Sequence, residues 1–148
     1  GTELDSYFDA MESIATNTDD ELEAITEEAN NATFSSDEQE IVAIKETFIR
    51  TVEVLESAVQ EVSQLEPPSE VEAAHSSFLS TLEDFAAVAG TLSRDFSQVT
   101  TRAEAEAVLE QHERELAAAD DAFDEACATL QMVADENNID RDLRCGDD

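Results

Sequence analysis

Basic residues are nearly missing from this chain. Seven lysines and arginines face 38 aspartates and glutamates over 148 residues, a formal charge of −31, and Lys45 is the one lysine. Nucleic acids and anionic lipid headgroups are held by basic footprints, so DNA, RNA and polybasic membrane attachment are excluded as functions. Turn formers are scarce too. With 3 glycines and 2 prolines, the sequence has too little punctuation for a β-rich fold. It has no uninterrupted apolar run of about 18 residues, the length of a membrane-spanning helix. No secretory signal is visible at Gly1, which reads as a leftover of expression. The expectation is a targeting segment upstream of it.

Hydrophobic residues make up 41% of the chain, enough for a core despite the charge. Alanine, glutamate and leucine are abundant, which favours helix. The plainest reading of the acidity is a solvated surface. A high-salt habitat, or binding of a cation or basic partner, is the sharper alternative.

Four stripes of apolar and small residues follow helical spacing. The first runs Leu4, Phe8, Met11, Ala15, Thr18, Leu22, Ile25, Ala29 and Ala32. The second runs Ile41, Ile44, Phe48, Thr51, Leu55, Ala58, Val62 and Leu65. The third runs Val71, His75, Phe78, Leu82, Phe85, Ala89, Leu92 and Phe96. The fourth runs Ala105, Leu109, His112, Leu116, Ala119, Phe123, Ala126, Leu130 and Val133. Capping boxes are predicted at Ser36-Gln39, Ser69-Glu72 and Thr101-Glu104. Pro67-Pro68 stops the second helix. The expected helices are 3–32, 36–66, 69–97 and 101–137, followed by a tail, 138–148, in a single domain of residues 1–148. Short links make consecutive helices antiparallel neighbours, so the predicted fold is an all-α, up-down-up-down four-helix bundle. A three-helix bundle with its fourth helix packed on a second copy is the alternative.

Catalytic and metal motifs are incomplete. Glu72-Ala73-Ala74-His75 has the Glu-x-x-His spacing of di-metal bundles, but Leu109 stands three residues before His112. Folding helices three and four back on each other separates the two histidines by about 16 Å along the axis. Each is read instead as a partly buried seam residue near a carboxylate. The stretch Asp135–Asp142 is rich in oxygen ligands, yet an EF-hand loop starting at Asp135 fails at Ile139, Asp140 and Gly146. An irregular calcium site remains an alternative. No phosphate loop and no nucleophile triad is present, so no catalytic, cofactor or metal residue is assigned, and the expectation is a non-enzyme. Ala15 and Thr18 fall level with Ala117, Ala118 and Ala119, where small residues permit either close packing or a ligand pocket.

Cys127 and Cys145 are the two cysteines, 18 residues apart. That is too far for a Cys-x-x-Cys redox motif, and no zinc-spaced partners accompany them. Cys127 sits on a flank of the fourth stripe, about 15 Å before a helix end near Asn137 or Asn138. Residues 139–145 can reverse across that distance at about 3.3 Å per residue, with Ile139 and Leu143 as apolar grips. A Cys127–Cys145 disulfide is therefore predicted, and with it an oxidising compartment.

The run Phe123-x-x-Ala126-Cys127-x-x-Leu130-Gln131-x-x-Ala134-Asp135, with Asn138-Ile139-Asp140 and Leu143-x-Cys145 after it, resembles the C-terminal end of small secreted bacterial proteins and lipoproteins. The Leu65-Glu66-Pro67-Pro68 break with Val71, Ala74-His75 and Phe78 is similar to their middle. These are acid-rich, helical, exported proteins of high-GC or Chloroflexi-like bacteria, and the likeness covers the last half of the chain. It implies export, with a lipid-anchored cysteine upstream, and brings no catalytic residue. The expected role is thus an exported interaction or spacer module of the cell envelope, periplasm or cell surface. It would be a monomer or weak homo-oligomer, engaging an unassigned protein or small molecule. The alternative is a binder of a small ligand or of calcium. A spacer predicts a dry, filled seam; a ligand binder predicts a cavity near Ala15 and Ala118.

Overall fold

The computed structural model describes residues 2–146. Gly1 and the last two residues of the expected tail, Asp147 and Asp148, lie outside the described residues. Four helices follow one another: α1 (Thr2–Asn31), α2 (Asp37–Ser63), α3 (Glu72–Phe96) and α4 (Arg102–Glu136). They form an up-down-up-down bundle in which α1 packs on α2, α2 on α3 and α3 on α4. α1 and α4 approach each other far less closely. No described helix is long and apolar enough to cross a membrane.

The helix starts follow local chemistry, with two departures from expectation. Thr101 and Glu104 form the complete capping box, each satisfying a backbone N–H of the other. Hydrogen bonds, the Thr100 hydroxyl foremost, hold the Glu104 carboxyl below its ordinary range. At Ser36 half the box forms. The Ser36 hydroxyl accepts from the Gln39 N–H at 3.2 Å, but the Gln39 amide oxygen reaches one residue further, to Ser35 N and Oγ at 3.2 and 2.8 Å. At Ser69 no box forms. Residues Ser69–Val71 make one 3-10 turn, closed by Val71 N–H on the Pro68 carbonyl at 3.0 Å, and α3 starts only at Glu72. Val71 is almost fully buried, so the turn drives an apolar side chain inward where a cap would have kept a serine in place.

The two ends of the bundle are built differently. At the tail end, Leu4, Phe8 and Met11 of α1 meet Val62 of α2, Leu82 of α3 and Leu130 of α4. At the opposite end, Ile41, Phe96, Val99 and Ala105 make a core from α2, α3 and α4 with no residue of α1. Ile25 is the last buried residue of α1; Ala29 is exposed and Ala32 lies beyond the helix. Both were expected in the seam. Without α1 beside it, Leu109 of α4 is also exposed, at 40% of its surface. A four-layer seam therefore narrows to three helices along its length.

Gly90 leaves α3 unbroken, as its stripe requires. The expected spans hold to within a few residues; the largest shifts are the end of α2, at Ser63 instead of 66, and the start of α3, at Glu72 instead of 69.

Candidate functional site

The chain turns back at the end of α4 through a hydrogen-bonded cap. Asn138 takes φ 57°, the left-handed region that asparagine tolerates better than most residues. Its N–H donates to the Asp135 carbonyl at 3.1 Å, and the Ile139 N–H donates to the Ala134 carbonyl at 2.9 Å. These are the two bonds of a Schellman motif, and they aim Ile139 at the core, where it is buried with Ala134.

The returning segment fills the gap between α4 and α1. The Gln131 side chain of α4 donates to the Arg141 carbonyl at 2.8 Å and accepts from the Leu143 N–H at 2.9 Å. The Asp142 N–H between them turns the other way, to the Glu12 carboxylate of α1 at 2.8 Å. Arg141 pairs with Asp9 at 3.3 Å and Arg144 with Asp19 at 3.1 Å. α1 contains no basic residue of its own. The two tail arginines thus supply positive charge between two acidic helices. Leu143 is buried, and Cys145 reaches Cys127 to form the expected disulfide, with the Cα atoms 5.6 Å apart.

Beneath this clasp lies a cavity of about 200 Å³ lined by all four helices and the tail. Its inner wall is apolar, with Met11 and Ile14 of α1, Leu55 of α2, Phe78 and Leu82 of α3 and Phe123 of α4. Phe123 packs against Phe78 and Phe85, with ring centroids 5.1 and 6.4 Å away. The cavity exists because the facing positions are small or polar. α1 presents Ala15 and Thr18, and α4 presents Asp120 and Asp124, so no large side chain crosses the seam. Among the described residues, the charged lining consists of those two aspartates, Asp19 and Arg144. Leu143, Arg144 and Gly146 of the tail complete the wall.

The expected level of the cavity was right for Ala15 and Thr18 but displaced on α4. Asp120, Phe123 and Asp124 face them. Ala118 is exposed, and Ala117 lines a separate open groove with Leu109 and His112. α4 is set about one turn further along than antiparallel folding at Val99 implies.

The two histidines serve separate places and are more deeply buried than expected. His75 Nδ1 lies 2.6 Å from the Tyr7 hydroxyl, its partner in place of the expected carboxylate. Burial raises the Tyr7 pKa and lowers that of His75. A protonated tyrosine facing a neutral imidazole makes the Tyr7 O–H the donor and Nδ1 the acceptor. His112 Nε2 pairs with Asp95 at 2.7 Å, and its Nδ1 is 4.0 Å from a Glu115 oxygen.

Among the described residues, the tail carboxylates do not gather. Asp142 accepts from the Arg144 N–H, and Asp135 from the Gln131 side chain. Among the described residues, the carboxylates that come together are Asp19, Asp20 and Glu23 on α1, with oxygens within 4.8 Å of one another. Asp19 already carries Arg144.

Sequence reasoning found the cysteines, Ile139, Leu143 and Ala15, but missed Gln131 and both tail arginines as builders of the site. Their signal was faint: two of seven basic residues stand in the tail, opposite a helix that has none. No family model, no curated protein and no solved structure matches the chain, so the reading of the cavity rests on its own residues.

Proposed function

We propose that this is an exported binding protein that holds a small apolar ligand in the cavity under the tail clasp. One observation carries the reading: a seam that interdigitated side chains would normally fill contains about 200 Å³ of space with an aromatic and aliphatic wall. A cavity of about 150 Å³ lined by Leu, Ile and Phe in another protein takes up benzene or xenon. The space here suits a body of about a dozen heavy atoms, at the small end of ligand sites. Export is supported by the disulfide, which persists in oxidising compartments, and by the resemblance to exported helical proteins. The protein is read as a binder, not an enzyme.

A neutral aromatic alcohol such as phenylbutanol tests the reading by thermal shift. At about one hundred times its Kd it should add about 2.7 kcal/mol of stability, a shift of several degrees. Ala15→Phe, which fills the cavity, should remove the response. Flat melting temperatures for the unmodified protein across a panel of apolar compounds of this size would overturn it.

The interaction-module reading comes second. Val42 and Ile49, each about half exposed, stand seven residues apart on one face of α2. Pull-down with the unmodified protein against Val42→Glu/Ile49→Glu tests it: equal capture by both would remove its support.

A further inference from the structure

We propose that the open groove between α3 and α4, at the end of the bundle away from the tail, docks a partner protein through a basic amphipathic helix. This is a second site, and it does not depend on what the cavity holds. Phe85 and Leu92 of α3 and Leu109 and Leu116 of α4 line the groove, each pair seven residues apart. Positions at that spacing form the holes that a neighbouring helix fills with its own side chains. At the tail end α1 is that neighbour. At this end α1 leans on α2 instead: Ile25 is its last buried residue, and Glu28 pairs with Arg50 of α2 at 2.8 Å. Residues 26–31 are exposed. The seam of α3 and α4 is thus shaped for one more helix along a length that α1 does not cover.

Dimensions and charge name the occupant. The groove runs along α4 from Glu106 to Asp120, about 21 Å at 1.5 Å per residue, which takes a helix of about 14 residues. Its floor is apolar and leaves Leu109 at 40% exposure, so the docked face is apolar too. Its rim on α4 is Glu106, Glu110 and Glu113, all exposed. Among the described residues, no ion pair engages these three glutamates. The described lining includes no lysine or arginine, and Arg114 of the same helix lies outside it. Lysines and arginines flanking the apolar stripe of an incoming helix meet that rim favourably, whereas acidic flanks are repelled. A second copy is the wrong occupant, because it brings the same glutamates and a further charge of −31.

The probe is a peptide of about 14 residues with leucine at a and d positions and lysine and alanine elsewhere, titrated calorimetrically into the oxidised protein. A scrambled peptide of the same composition, and one with glutamate for lysine, should each bind at least about tenfold more weakly. Leu109→Gln/Ala117→Gln changes two exposed positions, so its melting transition should stay in place while affinity for the probe falls about tenfold. Glu106→Gln/Glu110→Gln/Glu113→Gln should lower affinity by a similar factor and flatten its salt dependence. Equal binding of the scrambled peptide, or unchanged affinity in either variant, is counter-ion attraction to an acidic surface and would overturn the proposal. Equal binding of the glutamate peptide would overturn the basic partner. Sedimentation supplies the remaining arm: a dimer of the unmodified protein that Leu109→Gln/Ala117→Gln dissociates would give the groove to a second copy, against the proposal.

Discussion

Arg144 and Asp19 meet at 3.1 Å across the gap between the tail and α1, 125 residues apart in sequence. The contact joins the two parts of the chain that the bundle seam itself holds together least. It also places the Arg144 guanidinium and the Asp19 carboxylate side by side in the cavity lining.

Removing both tail arginines tests how much of the clasp is electrostatic. Each ion pair is substantially exposed, and exposed pairs contribute about 0.2–1 kcal/mol. Arg141→Ala/Arg144→Ala should lower stability by about 1 kcal/mol in urea, and the deficit should shrink as salt is added.

Cys145→Ser opens the clasp and leaves Cys127 as a buried thiol. A cross-link closing a loop of this length contributes about 3 kcal/mol in the chain-entropy model. The variant should lose roughly that much, and its tail should become sensitive to proteases at Arg141 and Arg144. A tail that stays resistant would show that Ile139, Leu143 and Gln131 hold it without the disulfide.

Tyr7→Phe leaves His75 Nδ1 buried without its hydrogen bond. An orphaned buried polar atom costs about 1–3 kcal/mol, and equilibrium unfolding should show it.

His75 also carries a pH dependence of definite sign. Its folded pKa lies below the ordinary 6.5, because burial penalises the imidazolium. The unfolded chain then binds the proton more readily. The contribution of neutral His75 is complete above about pH 6.5 and is lost as the pH falls toward and through the folded value. Stability should decline over that interval, before most carboxylates titrate. His75→Gln, which keeps an acceptor for Tyr7, should flatten that part of the slope.

Gly90→Ala probes a glycine in the interior of α3. A Cβ placed there meets nothing within 4 Å, so helix propensity acts without a steric penalty. The substitution should raise stability by about 0.5–1 kcal/mol, measured as a higher denaturation midpoint.

The stripes at helical spacing made the four helices and their order legible, because burial in a bundle follows a simple period. Ala29 and Leu109 broke the rule for one shared reason: α1 leaves the seam after Ile25, and a stripe does not report whether its neighbour is present. Val71 beat the Ser69 cap because burying an apolar side chain outweighs one surface hydrogen bond. The disulfide was legible from reach alone, since a chain that stops at Asn137 and carries Ile139 and Leu143 has few other ways to return. The cavity was half legible. Small residues on α1 announced it, but Asp120 and Asp124 look like ordinary solvated acids until helix register sets them opposite Ala15. Gln131 was invisible as a builder, because a single amide partnered with a distant backbone leaves no pattern in sequence.

That amide implies a constraint on length. Residues 141 and 143 bond to α4 through Gln131, and residue 142 bonds to α1 through Glu12. The segment alternates as a strand does, although two helices stand where its neighbouring strands would be. An insertion or deletion of one residue between Asn138 and Leu143 would swap its faces, sending Leu143 outward and its N–H to the wrong helix. The tail is therefore a ruler: outward-facing positions such as Asp140 are free to drift in identity, while the spacing from the Asn138 turn to Cys145 is fixed.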